Sequence, residues 1–292
     1  MISSSSFAPS PPSLSPPSIL TFNLSVSDKR NIATINEPFQ IMPTTQNYLT
    51  TKAINNYVES HNPGIILHMN YITKIFKKEA IEHGSNERLS LSRYATLAKK
   101  LGTKNILIHL PFSENELEHL GIGFKIMKDE LIDKGITVHL EITAWCKSLL
   151  QSLKAGQYDP KEQVSNFITN VITYMNAFPA DSFYIVFDTA HMFSNGCEVD
   201  DMIYIMNKFR DKIRYIHLNG NLNPKYTSDT HAPLFSPKSK ITNWEKLAKY
   251  CASLGVICIA EVTKINAEWK DWERFAANNG FKLVGFNEMY SY

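Results

Sequence analysis

Nine side chains able to bind metal ions stand, almost without exception, where short apolar runs of this chain stop. In order they are His68 (IILHMNY), His109 (ILIHLPFS), Glu141 (VHLEITA), Asp188 and His191 (VFDTAHMFSNG), His217 (YIHLNGN), Asp229 and His231 (SDTH) and Glu261 (CIAEVT). Runs of this length and β-branched content read as parallel strands buried on both faces. A histidine or carboxylate repeated where each run ends puts many polar groups on one rim of a sheet. Gathering them there is costly unless something compensates them, and metal ions do so. Few folds satisfy this: the strands must lie side by side, parallel, with their carboxyl ends on one face.

The rest of the pattern agrees. Candidate strands fall at 18–26, 39–43, 64–69, 105–110, 137–143, 183–191, 213–219 and 256–263. Between most of them lie amphipathic stretches at 52–60, 88–101, 114–134, 161–178, 199–212, 244–254 and 269–279. Leu101-Gly102, Lys134-Gly135 and Leu254-Gly255 are helix stops. Eight strands separated by helices predict an α/β chain closed into a (β/α)8 TIM barrel. An open doubly wound sheet would carry a glycine-rich phosphate loop after its first strand, and none is present. Residues 27–38, after the first strand, read poorly as helix. In such barrels chemistry is built at the carboxyl ends of the strands. His68, His109, Glu141, Asp188, His217 and Glu261 end strands three to eight in succession, a run that scattered surface groups would not produce.

Residues 1–17, MISSSSFAPSPPSLSPP, are rich in serine and proline and cannot bury enough apolar surface to order themselves. They are expected to form a flexible tail, with one barrel domain over 18–292. The tail lacks the basic start and continuous apolar core of a secretory signal, the first basic residue being Lys29. An intracellular protein, in cytoplasm or nucleus and not secreted, is therefore expected. No apolar stretch approaches membrane-spanning length. Net charge is +2, too mild to require or exclude nucleic acid. The four cysteines show no C-x-x-C spacing and read as reduced, buried thiols.

Of the nine histidines, His61, His83 and His119 lie among charged neighbours and read as surface groups. His139 stands two residues below Glu141 on the same strand face and reads as a core histidine. The remaining five recur with carboxylates. Asp229 and His231 lie two apart, so in an extended loop both side chains point the same way and reach one ion. Asp188 and His191 lie three apart where the sixth strand ends, which would send one inward and one toward a neighbouring site. Histidine with carboxylate and no thiolate suits hydrolytic zinc or manganese rather than structural zinc.

These residues fall into motifs: His68-Met69-Asn70-Tyr71, His109, Glu141-Ile142-Thr143-Ala144, Asp188-Thr189-Ala190-His191, His217-Leu218-Asn219, Asp229-Thr230-His231 and Glu261. In this order the chain resembles the endonuclease IV family of apurinic/apyrimidinic endonucleases over roughly residues 39–265. The resemblance implies a (β/α)8 barrel with three zinc ions, manganese being admissible at one position. His68 and His109 would hold the first and share Glu141 with the second, which Asp188, His217 and Glu261 complete. His191, Asp229 and His231 would hold the third. It further implies hydrolysis of the phosphodiester 5′ to an abasic site in duplex DNA by a monomeric enzyme, leaving a 3′ hydroxyl. Glu141 and Glu261 would be the catalytic carboxylates, Glu261 orienting the attacking hydroxide. DNA contacts would come from Tyr71, Asn219 and Lys225, with Lys74, Lys77, Lys78, Lys238 and Lys240 nearby. The chain departs from the family pattern at Pro111, Trp145, Gly220 and Ala232-Pro233-Leu234, and its loop 44–50 after the second strand is short. These differences bear on substrate preference more than on the metal set. Two rival readings are a xylose-isomerase-like sugar isomerase or epimerase, which uses one or two ions, and a weakened zinc-bearing DNA-binding relative.

Overall fold

The computed structural model describes residues 16–25, 38–43, 54, 62–69, 73–76, 80, 85–111, 119–262 and 267–284. Eight parallel strands close into a barrel: β1 (Ile19–Ser25), β2 (Phe39–Met42), β3 (Ile65–His68), β4 (Asn105–His109), β5 (Thr137–Ile142), β6 (Phe183–Asp188), β7 (Ile213–His217) and β10 (Ile257–Ala260). The closing pair is β1 with β10, from Ile19 opposite Ile257 to Phe22 opposite Ala260. Two short strands, β8 (Asn219–Asn221) and β9 (His231–Pro233), form an antiparallel pair after β7, and β11 (Lys282–Leu283) adds to the start of β1.

Around the barrel lie α1 (Asn86–Lys100), α2 (Leu120–Glu130), α3 (Lys147–Lys154), α4 (Pro160–Met175), α5 (Thr189–Ser194), α6 (Val199–Lys208), α7 (Trp244–Ser253) and α8 (Trp269–Asn279). Their ends follow local chemistry. Asp159 caps α4 through the Glu162 amide with Pro160 in its first turn, and Glu198 and Asp201 form a reciprocal capping box on α6. Gly135 takes φ 78°, the left-handed turn that sends the chain from the turn after α2 into β5.

Burial divides into two layers. One large core lies between barrel and helices, with Trp272, Tyr94, Phe39 and Phe124 among its largest side chains. A second, inside the barrel, consists of Ile66, Leu107, Val186, Tyr215 and Ile259. This inner plug closes the barrel beneath the carboxyl ends, so the polar rim sits on a dry floor. His139 belongs to its lower half. It is 1% exposed, bonds Asn105 Oδ1 at 3.1 Å, stacks on Tyr184 and is held neutral, its pKa pushed down to about 3 by burial and then by Arg214.

The structure corrects the elements at several points. The sixth strand ends at Asp188 rather than His191, because the Asp188 carboxylate caps a new helix, α5. The stretch expected as one helix to Lys134 ends as α2 at Glu130, followed by a 3-10 turn, and α6 likewise stops at Lys208. Helix α3 and the β8–β9 pair were not expected. The expected helix at 52–60, apart from Ile54, the stretch 27–37 and the tail up to residue 15 lie outside the described residues. Among the described residues no helix is long and apolar enough to cross a membrane. Cys197, Cys251 and Cys258 are buried thiols and Cys146 is half-buried, all four free.

Candidate metal centre

Strand register sets the rim. His109 lies opposite Glu141 on β4 and β5, and Asp188 opposite His217 on β6 and β7. Paired residues of neighbouring strands face the same side, so all four turn into the barrel mouth. The ligand positions converge there in three adjoining clusters. The first is His68, His109 and Glu141, with His68 Nε2 to His109 Nε2 at 3.0 Å and Glu141 Oε2 at 3.4 and 3.0 Å from the two. The second is Glu141, Asp188, His217 and Glu261: His217 Nδ1 lies 3.2 Å from Glu141 Oε1, 3.6 Å from Asp188 Oδ2 and 3.1 Å from Glu261 Oε2. The third joins His191 and His231 to Asp188, and Asp229 enters it through both histidines. Its Oδ2 stands 3.4 Å from His191 Nε2 and 3.1 Å from His231 Nε2.

Glu141 is fully buried and turns one oxygen to each of the first two clusters, while Asp188 Oδ2 stands between the second and third. The first two clusters lie at the bottom of the mouth. Asp229 and His231 are each a quarter exposed, so the third opens toward solvent.

Local structure explains the third cluster. Asp188 Oδ1 accepts the Ala190 and His191 amides at 2.7 and 3.0 Å, which starts α5 and swings His191 over the neighbouring cluster. His191 Nδ1 faces the Ile142 carbonyl at 3.1 Å, leaving Nε2 toward Asp229. Asp229 and His231 converge, as their two-residue spacing predicts. Asn195 then ties this helix to the loop after β5, accepting the Trp145 amide and donating to the Thr143 carbonyl.

The electrostatics are those of a closed charge network. Burial raises the Glu141 carboxyl, but the His217 and His109 imidazoles outweigh it and hold it well below the usual range. Glu261 is likewise depressed, burial being overcome by His217 and then His68. Burial lowers His217, yet Glu261 and Glu141 carry it well above an ordinary histidine, and His231 is pushed up to about 9 chiefly by Asp188 against its burial. His109 goes the other way, because burial outweighs Glu141. Protons on histidines thus balance ionised carboxylates, which is the task a divalent ion performs in such a cluster.

The donors fit such ions. Ligands around one tetrahedral zinc, bound at about 2.0–2.1 Å, stand about 3.3 Å apart. The clusters' edges of 3.0 to 3.6 Å straddle that value. Glu141 Oε2 and His231 Nε2, both buried atoms, face ion-pair partners within 3.5 Å but make no well-directed hydrogen bond.

Three residues singled out in the sequence take their places here. Asn219 is fully buried: its amide donates to Asp188 Oδ2 at 2.7 Å and its oxygen accepts the Glu261 amide at 2.9 Å. Both ends of the buried amide are thus engaged within the site. Lys225 is paired with Glu198 and lies over the Tyr226 ring, which neutralises much of its charge. The buried Trp145 ring packs edge-on against Phe167 of α4. Lys238 and Lys240 are exposed. Tyr71, the 44–50 loop and the side chains of Lys74, Lys77 and Lys78 lie outside the described residues.

Gly220 also acquires a reason. A Cβ there would stand 2.8 Å from the Pro233 carbonyl and 2.8 Å from Ser239 Oγ, because β9 passes directly alongside. A side chain has no room there. Gly220→Ala is expected to destabilise the protein by about 1–3 kcal/mol by pushing β9, and with it His231, off the site. Thermal unfolding checks this, and an unchanged midpoint would mean that β9 yields without cost.

One residue of the site was not expected at all. Gln40, in the middle of β2, is fully buried and its amide lies against His68, His217 and Glu261. The signal was a lone amide inside the apolar run FQIM.

Comparison with known proteins agrees with this architecture. No curated protein matches the chain in sequence. Among solved structures, endonuclease IV from Thermus thermophilus superposes with a TM-score of 0.56 at 15% identity, covering 90% of this chain and 98% of that one. A xylose isomerase domain protein from Planctomyces limnophilus gives 0.54 at 13%, over 90% and 94%. The 3-keto-D-glucoside 4-epimerase from E. coli, in its apo form, gives 0.53 at 13%, over 88% and 97%. At such identities the likeness shows the fold. A family profile described as xylose isomerase-like TIM barrel matches residues 36–272, most of the closed barrel with every residue of the three clusters, and the chain belongs to that family.

Proposed function

We propose that this chain is a metal-dependent phosphodiesterase that cleaves DNA 5′ to abasic sites, as an enzyme of the endonuclease IV kind. The observation that carries the reading is the third cluster. His191, Asp229 and His231, sharing Asp188 with the second cluster, exceed what the one or two ions of the isomerase reading need. In this assignment His68, His109 and Glu141 hold one zinc, Glu141, Asp188, His217 and Glu261 a second, and His191, Asp229 and His231 a third. Bound there, the ions would supply Lewis-acid stabilisation of phosphate charge and activation of water.

The chain's own residues do the rest. Glu141, ionised and buried, keeps the first two clusters a carboxylate's width apart. Glu261 stays ionised within the second cluster and orients the attacking water. Asp229 and His231, each a quarter exposed, line the open side of the mouth, so an ion held there would be the one that an entering phosphate reaches first. The plug of Ile66, Leu107, Val186, Tyr215 and Ile259 keeps water from entering beneath.

A duplex with one abasic site is expected to be nicked on its 5′ side, leaving a 3′ hydroxyl, while undamaged duplex stays intact. The same preparation should not interconvert aldoses and ketoses or epimerise ketoses. Sugar conversion without nicking would transfer the assignment to the isomerase and epimerase side of the family. Abasic DNA bound tightly but never cut would make it a binding relative.

A further inference from the structure

We infer that Gln40 is a positioning residue of the metal centre, one that sets which nitrogen of His217 and which oxygen of Glu261 face the ions. The inference rests on the metal reading above and adds a part that none of the ligand motifs contains. Gln40 enters from β2, a strand that supplies none of the nine ligands, and its side chain spans from β3 to β7.

The amide can be oriented in one way. Its nitrogen lies within bonding distance of Glu261 Oε1 and 3.1 Å from His68 Nδ1, and its oxygen lies 2.9 Å from His217 Nε2. The reverse orientation would press the amide oxygen onto the Glu261 carboxylate, two acceptors with no proton between them. Gln40 therefore donates to Glu261 Oε1 and accepts from His217 Nε2.

Two consequences follow. A neutral His217 carries its proton on Nε2, because an acceptor waits there, and its lone pair falls on Nδ1. That is the nitrogen 3.2 Å from Glu141, 3.6 Å from Asp188 and 3.1 Å from Glu261, at the centre of the second cluster. Meanwhile Glu261 Oε1 is taken up by Gln40 and by His68 Nδ1 at 3.2 Å, which leaves Oε2 turned toward His217. With Nδ1 donating to Glu261, the Gln40 nitrogen 3.1 Å away is a neighbour of His68 and not its hydrogen-bond partner, and the lone pair of His68 falls on Nε2, the atom in the first cluster. One amide thus orders His217 and Glu261 directly, and His68 through Glu261. Hydrogen bonds of this kind to ligating groups typically govern metal affinity by about 10- to 100-fold.

The test combines zinc titration with histidine nitrogen NMR. Competition against a chromophoric chelator is expected to show one zinc held about 10- to 100-fold more weakly in Gln40→Met than in wild type, the others unchanged. Equal affinities in the two proteins would overturn the assignment. In zinc-loaded wild type, ¹⁵N spectra should show His217 bound through Nδ1 with a slowly exchanging Nε2 proton. Zinc on Nε2 instead would overturn it without any variant, even if Gln40→Met fails to fold. A residue that merely fills space would leave that tautomer unchanged when replaced, so loss of the protected Nε2 proton in Gln40→Met separates positioning from packing. Wild-type protein that takes up no zinc would overturn the metal reading itself, and this assignment with it.

Discussion

Glu141→Gln is expected to lower abasic-site nicking by about 10³-fold or more, with DNA binding retained, since it removes an interaction that acts on turnover. The reason lies in how Glu141 is shared. It is fully buried, and its two oxygens face different clusters: Oε2 meets His68 and His109, Oε1 meets His217 and His191. Glutamine keeps the shape but offers one oxygen and no charge, and it turns an NH2 group toward one of the two positions. One ion is then left without its shared anion while the others keep their ligands. Single-turnover nicking with elemental analysis on the same sample distinguishes the outcomes. Near wild-type cleavage by Glu141→Gln would show that the two clusters do not act as one bridged centre.

Removing the metal is expected to have the second large effect. Protein prepared without chelator should contain about three zinc ions per chain, and strong chelation should abolish nicking until zinc is returned. Stability should fall as well. A ligand present at about 1,000 times its Kd stabilises the native state by about 4 kcal/mol per site, so each site emptied should lower the melting midpoint by on the order of 10 °C. Apart from Asp229 and His231 at the opening, the ligands are buried, and without cations they rely on protons shared among themselves. One metal or fewer in fully active protein, or a melting midpoint indifferent to chelation, would sink the trinuclear reading.

The barrel was largely legible in the chain. Apolar runs ending in His68, His109, Glu141, Asp188 and His217 became β3 to β7 with ends within about two residues of those expected, except at β6. There the reading went past Asp188 because VFDTAH is apolar enough to pass for strand. A capping carboxylate, whose effect depends on where its oxygens turn, ended the strand sooner. Helix α3 was missed because it is short and buries only Leu150 and Leu153, too narrow a stripe to read as helical period.

The ligand types and their order were written in the sequence, because a strand end fixes a residue's place along the barrel axis whatever surrounds it. Which of them come together was implied only by the resemblance and not by the residues themselves, since that depends on distances around the barrel between strands far apart in the chain. Tertiary structure alone brought Gln40 of β2 against His217 of β7, 177 positions away. It turned Asn219 inward onto Asp188 and Glu261, and it left no room for a side chain at Gly220. Hydrogen-bond direction and close packing are properties of pairs, and these pairs exist only once the sheet has closed.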